Sequence, residues 1–143
     1  MKPAIVDRVV LLALHDPGHP YHEAAATAIN DQLKALVPLV VPATVAAEVL
    51  VDAHRHGPHA YRTIKAFLRD LVRDIYPVDR LVAEAAAQYR TRHPALAMAD
   101  AFVLGTRKVV RADKVLTTNH TWRAIEPAHI ILITGARPAP AQR

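Results

Sequence analysis

Ile5-Val6-Asp7-Arg8-Val9-Val10-Leu11-Leu12, residues 5–12, sets an acid and a base side by side inside an otherwise apolar run. The short, β-branched and apolar character of residues 4–10 predicts a buried strand, with residues 11–14 turning into a short helix. Asp7 then falls at or near the end of that strand. In sheets whose strands alternate with helices, ligand sites gather at the carboxyl ends of the strands.

Two further acids sit alone among apolar neighbours. Glu48 lies in Val45-Ala46-Ala47-Glu48-Val49-Leu50-Val51, and Asp100 in Ala97-Met98-Ala99-Asp100-Ala101-Phe102-Val103-Leu104. Carboxylates are almost never fully buried unless paired. Burying an unpaired ion costs several kcal/mol even after relaxation, on the order of the stability of a small domain. Three such acids need a positive partner, and a hard divalent cation held by oxygen ligands is one.

Outward from these acids, the remaining chain alternates in type. Helices are predicted over residues 21–36, 42–54 (Thr44 as a possible cap), 61–72, 80–92 and 96–110. Strands are predicted over residues 39–41, 74–78, 114–117 and 130–133. This alternation indicates a three-layer α/β/α sandwich with a mostly parallel central sheet. No repeat or linker divides it, so residues 1–134 read as one domain. The Pro/Ala-rich residues 135–143 read as a disordered tail.

Composition narrows the function classes. The chain of 143 residues carries 18 Lys and Arg against 13 Asp and Glu, a net charge of +5 with 52% hydrophobic residues. It can build a core, and its basic balance points weakly to nucleic acid. Cysteine is absent, which excludes disulfides and thiolate metal sites and is compatible with a cytoplasmic protein. No apolar run approaches the roughly 20 residues of a membrane span. The apolar run of residues 9–14 is too short, and wrongly flanked by Asp7-Arg8, for a secretory leader. With four glycines, no phosphate-cradling loop is evident, and no Gly-x-Ser-x-Gly elbow occurs.

Two other groupings are plainer. His54-x-His56-x-x-His59 offers three imidazoles, but Gly57-Pro58 puts them on a predicted loop and no acid completes a zinc shell. Arg62, Lys65, Arg69 and Arg73 recur at helical spacing as a candidate RNA-phosphate stripe, which a solvated helix face explains as well.

Four segments together resemble the PIN-domain ribonucleases, and within them the VapC-type toxins of toxin–antitoxin pairs. Residues 5–14 are similar to the family's opening strand with its Asp. Residues 41–49 resemble its second motif, a helix carrying the Glu. Residues 93–104 resemble the third, with an Ala-Asp-Ala core. Lys114-Val115-Leu116-Thr117-Thr118-Asn119 resembles the fourth, a strand ending in Thr-x-Asp or a close variant. The order and spacing fit from residue 4 to about residue 133. The resemblance implies a PIN-like fold and an acidic pocket binding Mg²⁺ or Mn²⁺. It implies hydrolysis of RNA phosphodiester bonds, a homodimer, and a cognate antitoxin covering the site. Asp7, Glu48 and Asp100 would be the catalytic, metal-binding acids, and Asn119 a further metal ligand where the family often has a fourth acid.

Two departures stand out. Arg8 and Val9 occupy the places of two small hydroxyl residues, and Asn119 is neutral. An arginine there can pair with an acid of the pocket and weaken metal binding. The rival reading is therefore a degenerate PIN-like domain that binds RNA or a protein partner with little or no cleavage.

Overall fold

The computed structural model of the chain describes residues 1–135; the tail predicted over 135–143 lies, beyond Gly135, outside the described residues. Five strands form one sheet in the order β3-β2-β1-β4-β5. They are β1 (Ala4–Val6), β2 (Leu39–Pro42), β3 (Asp74–Tyr76), β4 (Lys114–Thr117) and β5 (Ile130–Leu132). Every pairing is parallel, with Ile5 opposite Val40 on one side and Val115 on the other. The expectation of a mostly parallel sheet thus resolves to a wholly parallel one.

Helices make the crossovers. α1 (Arg8–His15) and α2 (His22–Lys34) join β1 to β2, and α3 (Ala43–Arg55) and α4 (Pro58–Leu71) join β2 to β3. α5 (Arg80–Arg92) and α6 (Met98–Val110) carry the chain from one sheet edge back past β1 to β4, and α7 (Trp122–Ile125) leads to β5. Parallel crossovers are right-handed almost without exception. The reversal of travel after β3 therefore sends the later helices to the opposite face of the sheet from α1–α4. Ile5, Val6, Val41, Val115 and Leu116 are buried at its centre. Each such side chain contributes about 1.5–3 kcal/mol through removal from water.

Several boundaries differ from the sequence expectation, each for a local reason. The first strand stops at Val6 rather than residue 10, because a side-chain oxygen of Asp7 accepts from the Arg8 N–H at 2.7 Å and starts α1. Capping chemistry overrides the β propensity of Val9 and Val10. Thr44 does not cap α3. The chain passes from β2 into the helix at Pro42, and the Thr44 Oγ1 is buried without a partner. The third strand ends at Tyr76, where Pro77 removes the next donor.

The His54–His59 segment is not a loop. Only His56 and Gly57 separate α3 from α4; Gly57, at φ 103°, turns the chain, and Pro58 opens α4 at once. His54 stacks on Tyr61 with ring centroids 3.9 Å apart, and the His56 Nδ1 meets the Asp52 carbonyl at 2.7 Å. Among the described residues no three His, Asp or Glu side chains converge closely enough to form a ready metal cage.

α5 and α6 approach at Gly105. A Cβ there would lie 3.0 Å from the Ala86 nitrogen and 3.2 Å from the Val82 carbonyl oxygen. Both obstacles are backbone, so the neighbouring helix must move. Gly105→Ala should therefore destabilise the protein by about 1–3 kcal/mol, despite the roughly 1 kcal/mol that alanine gains in a helix interior. Urea denaturation measures this; an unchanged or higher midpoint would mean that the two helices yield without cost.

Candidate active site

The sheet changes direction between β1 and β4, the place where such folds leave a crevice beyond the strand ends. Asp7 follows β1 directly and Asn119 lies two residues past β4. A cleft of about 370 Å³ opens there, lined by Asp7, Arg8, Val9, Glu48, Asp100 and Asn119 among others. The three acids singled out in the sequence, separated by up to 93 positions, thus share one cleft with Asn119.

Asp7 is held from three directions. Its backbone N–H donates to the Leu116 carbonyl at 3.0 Å. One carboxylate oxygen caps α1, and the other accepts from the Thr117 hydroxyl at 2.8 Å. Thr117 is fully buried, and its Oγ1 accepts in turn from the Asn119 N–H at 3.0 Å. A hydroxyl thus does orient the first acid, but it comes from the neighbouring strand rather than from positions 8 or 9. Each carboxylate oxygen keeps a further lone pair for another ligand.

Asp100 stands in the first turn of α6. The buried indole N–H of Trp122 faces its carboxyl without forming a hydrogen bond of ordinary geometry. Trp122 opens α7, a helix of four residues too short to leave a periodic signal, so sequence reasoning missed both helix and residue. The far end of that segment is fastened by polar contacts. Tyr89 donates to the Glu126 carboxylate, and Arg107, nine-tenths buried, reaches the same oxygen at 3.5 Å.

Glu48 projects from α3 and meets Arg8, with Nε 3.1 Å from Oε2. Both side chains are nearly half exposed, so the pair contributes at most about 1 kcal/mol and a stronger partner can displace it. Asn119 lines the cleft, but its Oδ1 is engaged within its own turn, accepting from the Thr121 N–H at 3.1 Å and hydroxyl at 2.6 Å. Turn chemistry thus accounts for that oxygen.

Arg62, Lys65, Arg69 and Arg73 do not line the cleft. Arg69 is paired with its neighbour Asp70 at 2.9 Å, Lys65 lies over the Tyr61 ring, and Arg73 follows the end of α4.

Burial dominates the electrostatics of the cleft. Burial, chiefly, holds the Asp7 carboxyl above its ordinary pKa of 3.8; Thr117 and the Arg8 N–H oppose the shift, and Asp100 adds to it. Burial also raises Asp100, with Trp122 and Arg8 opposing. Both acids therefore bind protons more tightly in the folded chain than in the unfolded one. Below the ordinary carboxylate range both states are protonated and nothing is lost. As pH rises through 3.8 toward the raised values, the unfolded chain ionises first and stability falls. In chelator, Asp7→Asn should keep the cap, raise the thermal midpoint at neutral pH and flatten this decline. A midpoint that falls at neutral pH instead would show that the Asp7 charge is satisfied within the fold.

The sequence pattern of the PIN domain family matches residues 4–126. No curated protein sequence matches significantly. Among solved structures, a toxin–antitoxin complex from Klebsiella pneumoniae superposes with a TM-score of 0.74 at 23% identity, covering 92% of this chain and 98% of that one. FitAcB from Neisseria gonorrhoeae gives 0.68 at 19% identity, over 90% and 96% of the two chains. VapC20 from Mycobacterium tuberculosis, a sarcin–ricin-loop-cleaving toxin, gives 0.65 at 20% identity, over 94% and 99%. At these identities the superpositions establish a shared fold. With the pattern spanning most of its length and the acids gathered at the sheet's reversal point, the chain belongs to the PIN domain family.

Proposed function

We propose that this PIN domain is a metal-dependent endoribonuclease of the cytoplasm, the toxin of a bacterial toxin–antitoxin pair. The observation that carries this reading is that Asp7, Glu48 and Asp100 line one cleft at the carboxyl end of a parallel sheet, without being drawn together into a closed cage. Structural neighbours that include a toxin–antitoxin complex and a sarcin–ricin-loop-cleaving toxin support an antitoxin partner here.

The donor set suits a hard divalent cation, because all the candidate ligands are oxygens and the two most buried acids are held above their ordinary pKa. Asp7 and Asp100 would hold Mg²⁺ or Mn²⁺, with Glu48 as a third acid; Asn119 would join them only by releasing its Oδ1 from Thr121. Bound there, the ion would polarise the phosphate and lower the pKa of an attacking water. The protein's own groups set the geometry. Thr117 fixes the Asp7 carboxylate, Trp122 backs Asp100, and Val9 and Val103 add apolar surface to the lining of the cleft. In the hydrolysis a water oxygen bonds to phosphorus and one ester P–O bond breaks. The departing oxygen takes up a proton, matched by the proton that the water gives up. No covalent enzyme intermediate is required.

A specific observation favours the second reading, a binder with little cleavage: the Arg8–Glu48 pair occupies one of the three acids. Metal separates the two readings. RNA cleavage by the purified protein should require Mn²⁺ or Mg²⁺, stop in chelator, and fall at least about a hundredfold in Asp100→Asn. A folded Asp100→Asn protein that cleaves as fast as the parent would exclude this site. RNA binding without cleavage at any metal concentration would establish the binder.

Val9→Ser restores a hydroxyl beside Asp7. Because Thr117 already supplies one, activity should change less than about threefold, under half of the roughly 1.4 kcal/mol that a tenfold change represents. A large gain would show that the lost hydroxyl limits the reaction.

A further inference from the structure

We propose that Arg8 is a catalytic residue of this site: a tethered cation that rests on Glu48 in the free protein and moves to the phosphate of bound RNA, so that the cleft works with a single metal ion. The inference rests on the ribonuclease reading and specifies how its charge is shared.

The first argument is charge balance. Asp7, Glu48 and Asp100 line the cleft, and Arg8 is the only base among the described residues that does so. With the acids ionised, the arginine leaves two negative charges, the number that one divalent ion neutralises. A second divalent ion would have to enter a cleft already balanced, at a cost that grows as water is excluded. Asn119 adds no charge to attract it, and its side-chain oxygen is turned into its own loop.

The second argument is placement. Arg8 opens α1 immediately after Asp7, so its guanidinium is anchored beside the acid that would bind metal. Its charge reaches Asp7 and Asp100 as well as Glu48. The side chain is nearly half exposed and its contact with Glu48 is a weak one, leaving the long stem free to turn toward a ligand. A planar guanidinium offers two parallel N–H donors to phosphate oxygens, a better partner than a half-solvated carboxylate. In sites with two ions, one clamps each side of the phosphate. Here an arginine would supply the second clamp without dissociating.

This role sets two effects of Arg8→Ser in opposition. Loss of the resident cation should tighten Mn²⁺ binding, by about tenfold in calorimetry. Loss of the phosphate clamp should slow RNA cleavage at saturating Mn²⁺, by about a hundredfold. The parent should bind one Mn²⁺ per chain. Arg8→Lys, which keeps the charge but not the fork, should retain the parent's metal affinity and only part of its rate. Tighter binding with undiminished cleavage would make Arg8 a mere competitor and overturn the proposal. So would equal or weaker Mn²⁺ binding in Arg8→Ser, or two ions in the parent. Absence of Mn²⁺ binding in parent and variants alike, from folded protein, would instead remove the metal-dependent reading on which the proposal stands.

Discussion

The hydrogen bond from Thr117 to Asp7 crosses the seam where the sheet reverses its order, and the rest of the cleft is arranged around it. At 2.8 Å it has the ordinary length of a hydroxyl hydrogen bond, but it is made to a carboxylate in a buried setting, where its loss would leave the acceptor unsatisfied. It gives one carboxylate a fixed direction at the end of β1 while β4 is registered alongside. The same hydroxyl accepts from Asn119, so the turn after β4 is fixed by the acid it faces. One side chain therefore couples strand register, loop conformation and the orientation of a candidate metal ligand. Position 117 needs a hydroxyl for this, whereas its neighbours Val115 and Leu116 need only fill space.

Against that fixed acid, the opposite wall of the cleft is adjustable. Glu48 and Arg8 are half exposed and loosely joined, while Asp7 is set by backbone and Thr117, and Asp100 is partly buried beside Trp122. The contrast separates a rigid half, suited to holding an ion, from a movable half, suited to receiving a substrate. Arg107, Glu126 and Tyr89 secure the segment behind Trp122, so the rigidity of one wall is supported from well outside the cleft.

Much of this was legible in the sequence, and the losses have definite causes. The alternation of element types gave the parallel α/β fold, and α5 and β4 fall at the predicted boundaries. The three acids were visible because each interrupts an apolar run. The end of the first strand was misread because Val9 and Val10 carry strand propensity, while the deciding event is a single side-chain cap by Asp7. Trp122 was invisible because its helix spans four residues and its role depends on a residue 22 positions earlier. The Arg8–Glu48 pair was anticipated only as a possibility, since a sequence carries no distances. The fate of Asn119 could not be decided until Thr121 was seen to claim its oxygen.

The seam also orders events during synthesis. Thr117 follows Asp7 by 110 residues, so β1 leaves the ribosome long before the strand that completes its end. Until β4 docks, Asp7 lacks both its hydroxyl donor and the Leu116 carbonyl that holds its backbone, and Trp122 does not yet back Asp100. A nascent chain of this design carries all three acids but no assembled cleft. The cleft is thereby completed only once β4 has folded against β1.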